Sequence, residues 1–439
     1  MNRENKQQLI FDDFLVEHYK RHILPFLDIK QRERLEKTLD DFNCSKYNFE
    51  EEINSTIKFY RQLNSLSSSL RLLGAPKRGI EDLFFTLKKL QEVLFHLPRY
   101  RDHLPHQMRV YLLGCYLLSE NEEFFIESFS DKYARIIGTV TGKEDDAHVN
   151  LIRENLYYGF MCRSQILYDA WSFAGLSHDI GYAVEGISRI TRELHNIYRT
   201  LQPKVRMKLD VKISPTSILS DQMEAFEDCL ELLFHSQASR ELKRYVQVLK
   251  DQNDHGVWGC FFLTSKDLAG KIKEYALEVK KSISDIRIWD LVSGFSLSPY
   301  VETTNILLYI LYADAMIAIA FHNNPYLIYL TPFTALLVIS DTLQEWNRTG
   351  WVMPSTEGVI RRCIYISLSG TPRKRLVDSE IYVYDCSPME FYEKIRKDFD
   401  AAEDRDSPIN MNDVKAEFLE GLSFIIRIGP PMGKHQLII

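Results

Sequence analysis

Apolar residues recur three and four positions apart over most of this chain, and the pattern stops near residue 350. That spacing lines one face of an α-helix, and such faces are buried by packing helix on helix. "FDDFLVEHYKRHILPFL" near the N-terminus and "IEDLFFTLKKLQEVLFHL" over 80–97 both show it. "TTNILLYILYADAMIAIAFHNN" over 303–324 is the most apolar helix of the chain. "TPFTALLVISDTLQEWNR" over 331–348 begins on a start signal, with Thr331 as cap and Pro332 at the first helical position.

Between these anchors the segments alternate. Gly74, Pro76 and Gly79 break the N-terminal helices. Residues 98–118 run from a turn into a strongly apolar helix, and a polar stretch is expected over 119–148. Helical segments follow at 149–169 and 170–200, then a loop-like region over 203–220 with Pro203 and Pro215. Helical spacing returns at 221–236, 238–249 and 255–279. After 350, "VIRRCIYISLSG" and "SEIYVYD" alternate and are rich in β-branched and aromatic residues, which predicts a strand pair. "SPMEFYEKIRKDFDAA" predicts a helix capped by Ser387 with Pro388 at its first position, and "GLSFIIRIG" another strand. The expected fold is therefore mainly α: helical N-terminal support over 1–97, a helical domain over 98–350, and a small α+β unit over 351–439.

Composition narrows the function classes. A length of 439 residues allows two or three domains, or one large domain with insertions. The net charge of −7 is not that of a general nucleic-acid binder, and the compact basic runs "PKVRMK" and "TPRKR" read as solvated loops. Seven cysteines without a C-x-x-C exclude a disulfide framework and a zinc ribbon. Cys115 within "LLGCYLL" reads as a small buried hydrophobe in a reducing compartment. The N-terminus lacks an apolar signal core, and no uninterrupted apolar run reaches the ~18 residues of a span, so a cytoplasmic location and no membrane partner are expected. A Walker loop, a G-x-S-x-G elbow and a Rossmann glycine pattern are all missing.

The polar residues set against apolar helices carry the chemistry. His106 precedes "MRVYLLG", and His178 and Asp179 follow "AWSFAGLS". His255 opens "GVWGCFFL", His322 follows "AMIAIAF", and Asp341 sits inside "ALLVISDTLQEW". Each histidine taken singly reads as a hydrogen-bonded core group. Asp341 is harder to place, because a carboxylate in an apolar helix is costly unless it is paired or coordinated.

Taken in order they spell H…HD…H…H…D, which resembles the HD superfamily of metal-dependent phosphohydrolases. "GLSHDIGY" over 175–182 is similar to the family signature, "HQMRV" to its first-histidine motif, and "DHGVWGCFFL" and "IAFHN" to segments supplying two further histidines. "PFTALLVISDTLQEW" is similar to the final helix, whose aspartate closes the site. The resemblance covers roughly 98–348, and the "YRDHLPHQMRVYLLG" segment further resembles HD domains of bacterial conflict and defence systems.

The resemblance implies two divalent ions drawn from Mn, Fe, Co, Ni or Zn, which suit mixed imidazole and carboxylate ligands. His106, His178, Asp179 and Asp341 would bind one, and His255 and His322 the other, with Asp179 bridging. It implies a phosphohydrolase or phosphodiesterase in which a metal-activated hydroxide attacks a nucleotide, a cyclic nucleotide or a nucleic-acid phosphoester. Arg101 and Tyr182 are the candidate substrate contacts. The family's first histidine commonly stands closer to the His-Asp pair than His106 does, so insertions are expected at about 119–165 and 200–250, and His103 and His148 stay open as alternative first ligands. Two rival readings are a di-iron oxygenase of the same superfamily and a non-catalytic, metal-stabilised regulatory or interaction module. Residues 351–439, whose one candidate ligand His435 is expected in a mobile tail, read as a surface for substrate selection or a protein partner.

Overall fold

The structure is a computed structural model that describes residues 15–27, 29–45, 49–66, 88–89, 104–141, 145–162, 164–182, 184–186, 191, 217–264, 305–344, 362–369, 378–383, 410–415, 423–428 and 435–438. The fold is mainly α. A helical stretch at 15–22 leads into α1 (Ile29–Cys44) and α2 (Phe49–Leu66), then α3 (Leu104–Glu120), α4 (Glu122–Thr141), α5 (Asp146–Cys162) and α6 (Gln165–Ser177). There follow α7 (Ser217–Leu233), α8 (Ser236–Asp251), α9 (His255–Leu263), α10 (Asn305–Phe321) and α11 (Pro332–Leu343). The chain closes with β1 (Arg362–Ser369), β2 (Asp378–Val383), the short α12 (Met411–Lys415), β3 (Ser423–Ile428) and β4 (His435–Ile438). No helix among the described residues is long and apolar enough to cross a membrane.

The most apolar helix lies at the centre. Every residue from Ile310 to Phe321 of α10 is buried, and α6, α7, α9 and α11 pack around it. A helix apolar on all sides needs neighbours on all sides. α3 packs on α6 and α11 and is buried from Leu104 to Leu118. It meets α6 at Gly114, where a Cβ would stand 1.9 Å from a ring carbon of Trp171. That indole donates its N–H to the Tyr111 carbonyl at 2.9 Å and stacks over Phe333 of α11. Arg109 of α3 is fully buried, paired with Glu52 of α2 and set over the Phe42 ring of α1, so it ties the N-terminal helices to the core.

Local signals explain where several helices begin. Thr331 accepts the Thr334 N–H at 3.2 Å and Pro332 opens α11 as expected. Asn253 takes a left-handed backbone (φ 58°) after α8, and Asp254 then accepts the Val257 N–H to start α9.

Several expectations need correction. The polar stretch expected over 119–148 is helical in α4, and α5 takes its last three residues. Phe125, Ile126, Phe129 and Tyr133 hold helical spacing beneath the surface charges, and Phe129 meets Phe333 edge-on at 4.7 Å. His148 lies in the first turn of α5, where Asp145 accepts its N–H and starts the helix. The boundary expected at 169–170 lies inside α6, which ends at Ser177 in a turn; residues 182, 184–186 and 191 are helical again, and the rest of 187–200 lies outside the described residues. The loop expected over 203–220 yields its last four residues to α7. The remainder of that loop, the end of the 255–279 helix and the helix expected at Ser387 lie outside the described residues.

The C-terminal strands form one antiparallel sheet in the order β2-β1-β3-β4. Ile364 of β1 faces Ile381 on one side and Ile428 on the other. His435 is not in a mobile tail, because it opens β4, an edge strand paired opposite Ile428. α12 packs on α8, with Val414 buried and the Asn410 N–H donated to Glu241 at 3.1 Å.

Candidate metal centre

Four histidines approach one another from the ends of four helices. His178 follows the last residue of α6, and His322 the last residue of α10. The final turn of a helix leaves carbonyls without intrahelical partners. Each of these two imidazoles satisfies one, its Nδ1–H donating to the carbonyl three residues back: Gly175 for His178 at 3.0 Å, Ile319 for His322 at 2.8 Å. Placing a histidine directly after an apolar helix thus closes the helix end and fixes the tautomer, leaving the Nε2 lone pair facing away from its own helix.

The other two histidines sit near helix starts. His106 is the third residue of α3, and its Nδ1 meets the Gln344 side-chain oxygen at the end of α11. His255 is the first residue of α9, and its Nδ1 meets Glu185 Oε2 at 2.7 Å. In all four rings Nδ1 is held outside and Nε2 points to a common centre.

Asp179 lies at that centre. Its Oδ1 is 3.1 Å from His255 Nε2, 3.7 Å from His178 Nε2 and 3.8 Å from His322 Nε2, while its Oδ2 is 3.8 Å from His106 Nε2. Asp341 places Oδ1 2.8 Å from His106 Nε2 and 3.7 Å from His178 Nε2. His255 and His322 are 3.2 Å apart through their Nε2 atoms. Three sets of donor atoms therefore lie within 4.8 Å of one another: His106, His178 and Asp179; His178, His322 and Asp341; Asp179, His255 and His322. The side chains of His106, His178 and His322 are fully shielded, and the centre meets solvent beside Asp341 (23% exposed) and His255 (16%).

Glycine makes the approach possible. A Cβ on Gly181 would stand 1.9 Å from the His255 carbonyl oxygen and 2.3 Å from the Gly259 nitrogen, so the turn bearing His178 and Asp179 lies directly against the backbone of α9. A Cβ on Gly256 would stand 2.6 Å from the Ile319 carbonyl, which sets the start of α9 against the end of α10.

The electrostatics follow from packing carboxylates among imidazoles. Burial works to lower the pKa of His178, yet Asp179 and Asp341 outweigh it and the net shift is upward. His255 is driven well above the ordinary histidine value, with Asp179 and Glu185 overcoming its burial. Burial works to raise Asp341, but His106 and His178 hold its carboxyl well below the usual range. A group of buried imidazoles and carboxylates with lone pairs turned inward could hold a metal ion.

Six residues named from the sequence, His106, His178, Asp179, His255, His322 and Asp341, are thus brought together. Tyr182 is buried with its ring edge-on to His255 at 5.9 Å, forming a wall of the site. His148 is exposed and bonded to Asp145 at 2.6 Å. Arg101 and His103 lie outside the described residues. Three polar neighbours were not foreseen: Gln344, Glu185 and Asn323, whose exposed amide lies 3.1 Å from His255 Nε2. Gln344 stands three residues after Asp341 on the same helix face, a spacing that could have revealed it. Comparison of the chain with protein-family models, with curated proteins and with solved structures gives no match.

Proposed function

We propose that this centre holds two divalent ions and that the chain is an HD-type phosphohydrolase acting on a nucleotide, a cyclic nucleotide or a nucleic-acid phosphoester. The observation that carries this reading is Asp179, whose Oδ2 faces His106 while its Oδ1 faces His255, His322 and His178. His106, His178, Asp179 and Asp341 would hold one ion; His255 and His322 would hold the second and share Asp179. Mn, Fe, Co, Ni or Zn fits this donor set. Ions so held lower the pKa of a bound water and take up charge on a phosphoryl oxygen.

The chain's own residues position the rest. The four Nδ1 contacts stop the imidazoles from swinging, so the donor atoms need little reorganisation on loading. Shielding of His106, His178 and His322 keeps bulk water from weakening the charge interactions inside. On the solvent side, the Asn323 amide offers an N–H donor beside His255, and Tyr182 limits the width of the site.

The test is elemental analysis of the purified protein, followed by a panel of phosphomonoesters and phosphodiesters with and without added Mn(II). Ion-dependent phosphate or nucleotide release is expected. The Asp179→Ala variant should lose that activity and most of its bound metal, because both ions lose a shared anionic ligand, while its helical circular dichroism is retained. Iron content with dioxygen consumption and no phosphoester cleavage would overturn the reading in favour of oxygenase chemistry. Normal activity and metal content in Asp179→Ala would remove Asp179 from the centre.

A further inference from the structure

Three of the inward-facing histidines meet a neutral acceptor at Nδ1. His178 and His322 donate to carbonyls of their own helices, and His106 meets a side-chain amide. The Nδ1 of His255 instead meets a carboxylate, that of Glu185, with the Asn323 amide nitrogen 3.4 Å away. Helix polarity separates His178 and His322, which follow helix ends, from His106 and His255, which sit near helix starts. The unsatisfied backbone groups at the start of a helix are N–H donors, not carbonyls. His255 and His106, near the starts of α9 and α3, therefore have no such carbonyl beside them, and each takes its acceptor from another part of the chain.

Glu185 supplies it across 70 residues of sequence. It lies in the short helical stretch 184–186, just beyond the turn that carries Asp179. One connected segment, 179–185, thus presents a carboxylate to each side of the His255 ring: Asp179 to Nε2 at 3.1 Å and Glu185 to Nδ1 at 2.7 Å. A charge-assisted bond to Nδ1–H is shorter and stronger than a neutral one, and it makes the opposite nitrogen a better electron donor.

We propose that Glu185 is the positioning residue of the second ion site, fixing His255 with Nε2 turned toward Asp179 and His322 and strengthening it as a ligand. This rests on the two-ion reading above, though not on the identity of the substrate. Glu185 touches neither ion; it acts through His255. Ion affinity at the two positions therefore responds differently to its loss.

The experiment titrates chelator-treated protein with Mn(II) alone by calorimetry, comparing wild type, Glu185→Ala and Glu185→Gln, with circular dichroism of each. Wild type should take up two ions. Glu185→Ala should weaken one of them by about 10- to 100-fold, the usual effect of removing such an outer partner, and leave the other within twofold. Glu185→Gln keeps an acceptor oxygen without the charge and should recover affinity to within about tenfold of wild type. Two unchanged affinities in Glu185→Ala would overturn the proposal, and so would an equal fall at both positions, which marks a purely structural role. A wild-type protein that takes up one ion or none fails in the first arm of the experiment. That result overturns the two-ion reading itself and is distinguishable from a failure of Glu185 alone.

Discussion

Gly181→Ala tests whether the close approach of two backbones builds the centre. The new Cβ would stand 1.9 Å from the His255 carbonyl oxygen, where contacts below 3.0 Å are essentially never seen, so the two segments must separate by about 1.1 Å. Neither obstructing atom can turn aside, because both belong to the α9 backbone. The separation falls on the pair that would close the proposed second site, Asp179 Oδ1 and His255 Nε2, now 3.1 Å apart. Metal–ligand distances tolerate deviations of about 0.2 Å, so a shift of this size would take His255 out of the proposed ligand set. The expected result is a loss of one ion in Mn(II) calorimetry, with the first ion retained on His106, His178, Asp179 and Asp341. The overpacking itself should lower stability by about 1–3 kcal/mol in urea denaturation. Two ions bound with wild-type affinity would refute the argument, since the glycine would then not be what lets Asp179 reach His255.

Asp314 of α10 is fully buried, takes a hydrogen bond from Tyr133 at 2.7 Å, and has its pKa pushed up to about 7 by burial. Its folded pKa is raised, so its stability contribution is present at low pH and is lost as pH rises toward 7; between pH 5 and 8 the loss should be on the order of 3 kcal/mol, and Asp314→Asn should flatten that slope in denaturation measured across the range. An unchanged slope would show that Asp314 does not hold a proton in the folded state. Glu52→Ala removes the carboxylate beside the buried Arg109 guanidinium and should cost about 3–5 kcal/mol; a loss below about 1 kcal/mol would mean the pair contributes little. A chain ending at residue 354 uncovers the α8 surface that Val414 occupies and should melt at a lower temperature, yet bind Mn(II) normally, because the six candidate ligands lie before that point; loss of ion binding in a folded fragment would refute this.

The helices that build the centre were readable because their sequences are one-sided in meaning. α10 is so apolar that it must be central, and Thr331-Pro332 marks the start of α11 to the residue. His178, Asp179, His255, His322 and Asp341 were readable for a related reason: each is a polar group at or near the end of an apolar run, where an unpaired position would be costly. Glu185 was not readable, since a lone carboxylate in "GYAVEGI" carries no spacing signal and its role depends on a histidine far along the chain. α4 was missed because its surface charges hide the spacing of Phe125, Ile126, Phe129 and Tyr133. The final strand was missed because four residues carry too little alternation to register before pairing with β3 is seen.

The helix ends gathered at the centre have an electrical consequence. α6, α10 and α11 bring their C-terminal ends toward it, while α3 and α9 bring N-terminal ends. At about half a charge each, these nearly cancel, leaving a small negative remainder. Asp179 and Asp341 then set the sign, with Glu185 close behind. Such a field draws in cations and turns away a phosphoester that arrives before them. Under the proposed function the order of addition is thereby fixed: the ions load first, and the anionic substrate associates only with the charged-up centre, so its association rate should follow ion occupancy.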